Sequence, residues 1–185
     1  MSEYLPGGRR RLDRVLGPGF LDGLGDLELD DVRIRRADAD QEEVDLSYAR
    51  RLLQGRLDIL RAEQAARRGD GPLARQPRTD IEIVGALASI LADDRRADRG
   101  LGRHLGGSTP SRIGEHRREA ERAVADVGGS DLAGMSDDDL AAAVLSLSDI
   151  EARVSRTRRQ VQIVVDTLTS EIARRYQAGE VHAGI

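Results

Sequence analysis

The pattern E-x3-S-x2-R-x3-Q-x3-D occurs twice in this 185-residue chain. It is formed by Glu43, Ser47, Arg50, Gln54 and Asp58, and again, 108 positions later at every member, by Glu151, Ser155, Arg158, Gln162 and Asp166. At 100° per residue the five side chains of each copy fall within about 80° of one another, so each copy is a narrow polar stripe along an α-helix. Leu46, Leu53, Leu57 and Leu60 border the first stripe, and Val154, Val161, Val165 and Leu168 border the second at the same offsets. Two helices packed through these apolar residues carry both polar stripes on the flank of one shared seam. A single stripe of Glu, Arg and Gln is ordinarily a solvated ridge. Its repetition at identical spacing points to a site, and two matching copies suit a ligand with two-fold symmetry.

The remaining pattern is consistent with an all-α protein of one domain. Hydrophobic residues are 39% and charged residues 34% of the chain, while aromatics are only 2%, which leaves Leu, Val, Ile and Ala to build the core. Asp40 with Glu43 has the form of a capping box, and helical spacing continues to about Arg68. Ser136 followed by Asp137, Asp138 and Asp139 opens a second long helix, with acids suited to the helix dipole. That helix extends to Gln177, about 60 Å at 1.5 Å per residue. The expected core is therefore an antiparallel two-helix coiled coil of residues 40–68 and 137–177. A shorter helix is expected at 79–93, opened by Thr79 and Glu82 and carrying Val84, Leu87 and Leu91. Residues 1–37 are expected as a flexible arm with a docking segment at Phe20–Leu29. Residues 95–135 are expected as a partly disordered linker with a weak helix at Ile113–Val127, and 179–185 as a tail. The helical domain spans 38–178.

Several functions are disfavoured by composition. The chain has no Cys and only His104, His116 and His182, which removes thiol chemistry and Cys/His zinc sites. No Ser/His/Asp set shares an element and no Gly-rich loop follows a strand, so an enzyme is not expected. Asp137, Asp138 and Asp139 are expected as capping acids, with no metal. A net charge of −4 argues against direct DNA binding, and no stretch is apolar enough for a membrane span. A cytoplasmic location is expected. All 29 basic residues are Arg, so a lone Arg, including the repeated Arg51 and Arg159, carries little weight.

The stripe chemistry is more specific. Arg offers a planar fork to a phosphate or to the O6/N7 edge of guanine and stacks on purines. Carboxylates accept from the guanine N1–H and amine, and Ser and Gln add adaptable hydrogen bonds.

With both stripes complete, the chain resembles the RsiG anti-sigma factors of filamentous actinobacteria, whose hallmark is this motif on two helices of an antiparallel coiled coil. The resemblance implies that the ten motif residues bind cyclic di-GMP as a partly intercalated dimer. Arg50 and Arg158 would contact guanine or phosphate. Glu43, Glu151, Asp58 and Asp166 would accept from guanine edges or orient the arginines, and Ser47, Ser155, Gln54 and Gln162 would complete the bonding. It further implies that the loaded protein holds a WhiG-type sigma factor, related to flagellar sigma factors, away from RNA polymerase and so represses sporulation genes. The alternative from the residues alone is a coiled-coil adaptor that binds a partner helix and no nucleotide.

Overall fold

The computed structural model describes residues 5, 8, 10–69, 115–126, 132 and 134–179. Among them are four α-helices and no strand: α1 (Arg11–Val15), α2 (Leu29–Arg68), α3 (Glu115–Asp126) and α4 (Asp137–Gln177), with one 3-10 turn at Leu24–Asp26. The two long helices form the expected antiparallel coiled coil. The helix expected at 79–93 lies outside the described residues.

A seven-residue repeat builds the seam. Val32, Ala39, Leu46, Leu53 and Leu60 of α2 face Leu140, Leu147, Val154, Val161 and Leu168 of α4, and none is more than 2% exposed. Exposed hydrogen bonds between the helices run along the seam. Arg33 donates to the Tyr176 hydroxyl, Arg36 Nε to Thr169 Oγ1 at 3.0 Å, and Arg61 Nη2 to Ser148 Oγ at 3.2 Å.

α2 starts at Leu29, eleven residues before the expected Asp40. Residues 29–40 hide their helicity because Val32 and Ala39 are their only buried apolar side chains among many charges. Local pairs support this highly charged stretch of helix, Arg33 with Asp30 and Arg36 with Asp40. Asp40 is therefore an interior residue rather than a cap, and Glu43 is free of any capping role. At the other end Gly69, at φ 77°, takes the left-handed conformation that closes the helix. α4 begins as expected: Ser136 Oγ accepts from the Asp139 N–H at 3.1 Å.

The N-terminal region also departs from a flexible arm. From residue 10 onwards the described chain packs on the coil. Leu12 and Val15 of α1 are 1% exposed, and Phe20, Leu21, Leu24 and Leu27 lie against the same core, which bears out the docking segment. A charged cluster joins three elements. Arg11 Nε donates to Glu42 Oε2 and Arg11 Nη2 to Asp45 Oδ2, each at 2.6 Å, while His116 of α3 meets the second oxygen of Glu42. Burial pushes the Glu42 carboxyl upward, but His116 and Arg11 outweigh it and hold it below its ordinary value. α3 is thus the expected weak helix, fixed to α2 by His116 and the buried Ala120, and Arg117 stacks on Tyr48 at 5.2 Å.

Asp13 ties down the start of this region. Two bonds from the Arg10 side chain, each 2.7 Å, and one from the Leu5 N–H at 2.9 Å reach its carboxylate. Arg10 prevails over the opposing effect of burial, and the carboxyl is held at about 2, against 3.8 ordinarily. A depressed carboxyl stabilises the folded state fully above its unfolded value and loses that contribution as pH falls through the folded one. We expect α1 to loosen between about pH 4 and pH 2. Amide exchange at Leu16, whose N–H bonds the Leu12 carbonyl, measures this, and Asp13→Asn is expected to show fast exchange at neutral pH with no acid step.

Both long helices end in the same way. Continuing each seam by seven residues gives Arg67 in α2 and Arg175 in α4, themselves 108 positions apart. Arg67 Nη1 and Nη2 donate to the carbonyls of Met135 and Leu132, each at 2.7 Å, and its Nε donates to Glu63 at 2.9 Å. Arg175 Nη1 donates to the Leu27 carbonyl at 2.6 Å, its Nη2 to the Leu24 carbonyl, and its Nε to Glu171 at 2.8 Å. Each arginine thus holds the turn that opens the opposite helix. The two carbonyls and the Glu of one clamp have their counterparts 108 positions away in the other, and Arg67 alone adds an acid, Asp137 at 2.8 Å.

Candidate functional site

The antiparallel register places the two stripes face to face on one side of the seam. On α2, Glu43, Ser47, Arg50 and Gln54 project to one side of the line through Leu46 and Leu53, whereas Glu42 and Asp45, with α1 and α3, lie on the other. The coil therefore has a polar face free of the smaller helices and an opposite face that carries them.

Two groups of motif residues form across the seam. In the first, Glu43 Oε1 accepts from Ser47 Oγ on its own helix and from Arg158 Nη1 on the opposite one, both at 2.9 Å, and Arg158 Nη1 also reaches Gln162 Oε1 at 3.5 Å. In the second, Glu151 Oε1 accepts from Ser155 Oγ at 2.9 Å and from Gln54 Nε2 at 3.0 Å. Each Glu thus uses one oxygen to gather a Ser from its own copy and a donor from the other. Asp58 and Asp166 close the stripes, the first half-buried and the second exposed.

The arginines differ from the acids in what they leave unmet. Arg50 Nε and Arg158 Nε are both buried without a hydrogen-bond partner. A buried guanidinium N–H left unpaired is costly, and such groups are usually completed by water, an ion or a ligand. The two lie at corresponding positions of the repeat, on facing helices. The pairing is not fully two-fold: Arg158 is in an ion pair with Glu43, 2.9 Å apart, whereas the matching bond to Glu151 comes from Gln54.

A family model described as RsiG-like matches residues 18–91 and 126–183. The chain belongs to the RsiG-like family. Each matched segment holds one motif stripe and one clamp arginine, so the whole repeat lies inside the family's boundaries. Comparison with curated proteins found no match. The RsiG-like family is a regulatory one, with an anti-sigma-factor-like role and hence a sigma-factor partner in general.

Among the described residues no group of three or more His, Cys, Asp or Glu is placed to hold a metal, and no helix is long and apolar enough to cross a membrane. Of the histidines, His116 is the one described, and it is spent on Glu42 on the far side of the seam. Asp137, Asp138 and Asp139 stand in the first turn of α4, where Asp139 receives the Ser136 hydroxyl and Asp137 meets Arg67.

The sequence pattern misses two sets of residues. Glu63, Arg67, Glu171 and Arg175 share the offset of the motif, and extending the comparison by nine residues beyond Asp58 and Asp166 finds them. Arg11, Glu42, Asp45 and His116 have no such signal, because their contacts join distant segments and the repeat places Ile150 and Arg153 opposite Glu42 and Asp45.

Proposed function

We propose that this RsiG-like chain is a cyclic di-GMP-responsive anti-sigma factor, which when loaded sequesters a WhiG-type sigma factor from RNA polymerase and represses sporulation-related transcription. The observation that carries the reading is the pair of buried, unpartnered Arg Nε groups at equivalent places in two facing copies of the motif. Arg50 and Arg158 would meet guanine edges or phosphates through their free donors. Glu43, already bonded to Arg158, is suited to aiming that guanidinium, and Glu151 holds Gln54 in the same manner. Asp58 and Asp166 are the acids proposed for guanine N–H groups. A two-fold nucleotide dimer would place like groups against like stripes. No metal is needed for any of these contacts.

The regulation follows from linkage. A nucleotide that contacts both proteins raises the affinity of the complex by its differential binding to the bound state, and the partner raises nucleotide affinity by the same factor. Titration calorimetry of cyclic di-GMP, alone and with the sigma factor present, tests the reading, with cyclic di-AMP as control. Saturable binding at about two nucleotides per chain is expected in at least one setting, with at least a hundredfold loss in Arg50→Ala/Arg158→Ala, as truncating two charged donors of about 1.5–3 kcal/mol each would give. Absence of heat in both settings would leave the coiled-coil adaptor as the function.

A further inference from the structure

We infer that Arg67 and Arg175 are positioning residues, which set the register in which the two motif stripes face each other. The seam alone specifies register weakly. Its seven-residue repeat consists of Leu and Val with few exceptions, and a shift by one heptad exchanges one aliphatic contact for another. Such a shift would slide the helices by about 10 Å and carry Glu43 away from Arg158 and Gln54 away from Glu151. Polar side chains at seam positions are the usual means of excluding slipped alternatives.

The two clamps have the properties this task requires. Arg175 is only 6% exposed, and its fork is filled by two backbone carbonyls that exist at one place, the turn before α2. Arg67 makes the same pair of bonds to the turn before α4. In both, a Glu one helical turn earlier fixes the direction of the guanidinium through Nε. A slipped coil would leave each fork without its carbonyls. Each arginine also has ion pairs, Arg67 with Glu63 and Asp137 and Arg175 with Glu171, but a role limited to charge would not need the four turn carbonyls, which bear none. The clamps and the stripes obey the same 108-residue offset, so the residues that align the helices and the residues that are aligned repeat together.

The last step of this inference, the effect on ligand, rests on the nucleotide reading, whereas the register itself does not. The chain has no Cys, which allows nitroxide labels at two exposed positions, Ile34→Cys on α2 and Leu145→Cys on α4. Pulsed electron resonance is expected to give one distance for the labelled parent. Arg67→Met/Arg175→Met is expected to add a population displaced by about 10 Å, one heptad of rise. It is also expected to weaken cyclic di-GMP binding at least tenfold with the motif intact. Lys at both positions is expected to behave as Met does, because a single ammonium does not reproduce the fork. The single replacements, each keeping one clamp, supply the same readouts if the double variant does not fold. An unchanged distance in variants with a lowered melting temperature would overturn the inference and leave the arginines as stabilisers. A displaced distance with unchanged nucleotide affinity would overturn the positioning role. Failure of the parent to bind nucleotide would count against the proposed ligand, while the distances would still decide the register.

Discussion

Leu53→Ala is expected to lower the stability of the folded chain by about 3 kcal/mol, within the range for truncating a buried Leu. Leu53 is fully buried in the middle of the seam, next to Gln54, and its loss removes apolar transfer energy and opens a cavity that two long helices close only in part. Urea unfolding followed by far-ultraviolet circular dichroism measures this in a protein without Trp. The midpoint should fall while the slope stays constant. Leu145, 69% exposed on α4, is the control, and its replacement by Ala should change stability by no more than about 0.5 kcal/mol. Equal effects at the two positions would mean that the seam does not run where the seven-residue repeat puts it.

Arg11→Ala is expected to cost about 3 kcal/mol, at the lower end for breaking a buried ion pair. Its partners Glu42 and Asp45 have side chains only 3% exposed, so both acids lose a cation in a place water scarcely reaches. The Arg11 side chain is itself 30% exposed, which argues for the lower end of that range. The sign with pH follows from Glu42, whose carboxyl is held below its ordinary value. Its contribution is present above the unfolded value and is lost as pH falls through the folded one, so the gap between Arg11→Ala and parent should narrow in acid. Glu42→Gln in the Arg11→Ala background should recover part of the loss. Additive effects of the two changes would show that the pair is not coupled.

The coil was legible in the sequence wherever apolar spacing and charge patterning agreed. Ser136 and the three aspartates marked the start of α4, and the Leu and Val residues beside each stripe marked the seam. The start of α2 was hidden because Val32 and Ala39 are isolated among charges, while Asp40 and Glu43 imitate a cap that the interior of a helix does not need. α1 was hidden for a different reason. Five residues carry no period, and Leu12 and Val15 join the core beside Arg11, whose partners lie more than thirty positions away. The stripe itself was legible from spacing, but not its bonding: that Glu43 meets Arg158 while Glu151 meets Gln54 depends on register, which single-helix geometry does not contain.

The smaller helices cover one face of the coil and break its symmetry there, since Glu42, Asp45 and Tyr48 have Ile150, Arg153 and Arg156 as their counterparts. The stripe face, by contrast, looks nearly the same after a half-turn, and a molecule reading that face alone has no means of knowing which way the coil points. α1 and α3 provide the missing arrow. Polarity in any larger assembly is therefore written on the side of the protein that the repeat does not share.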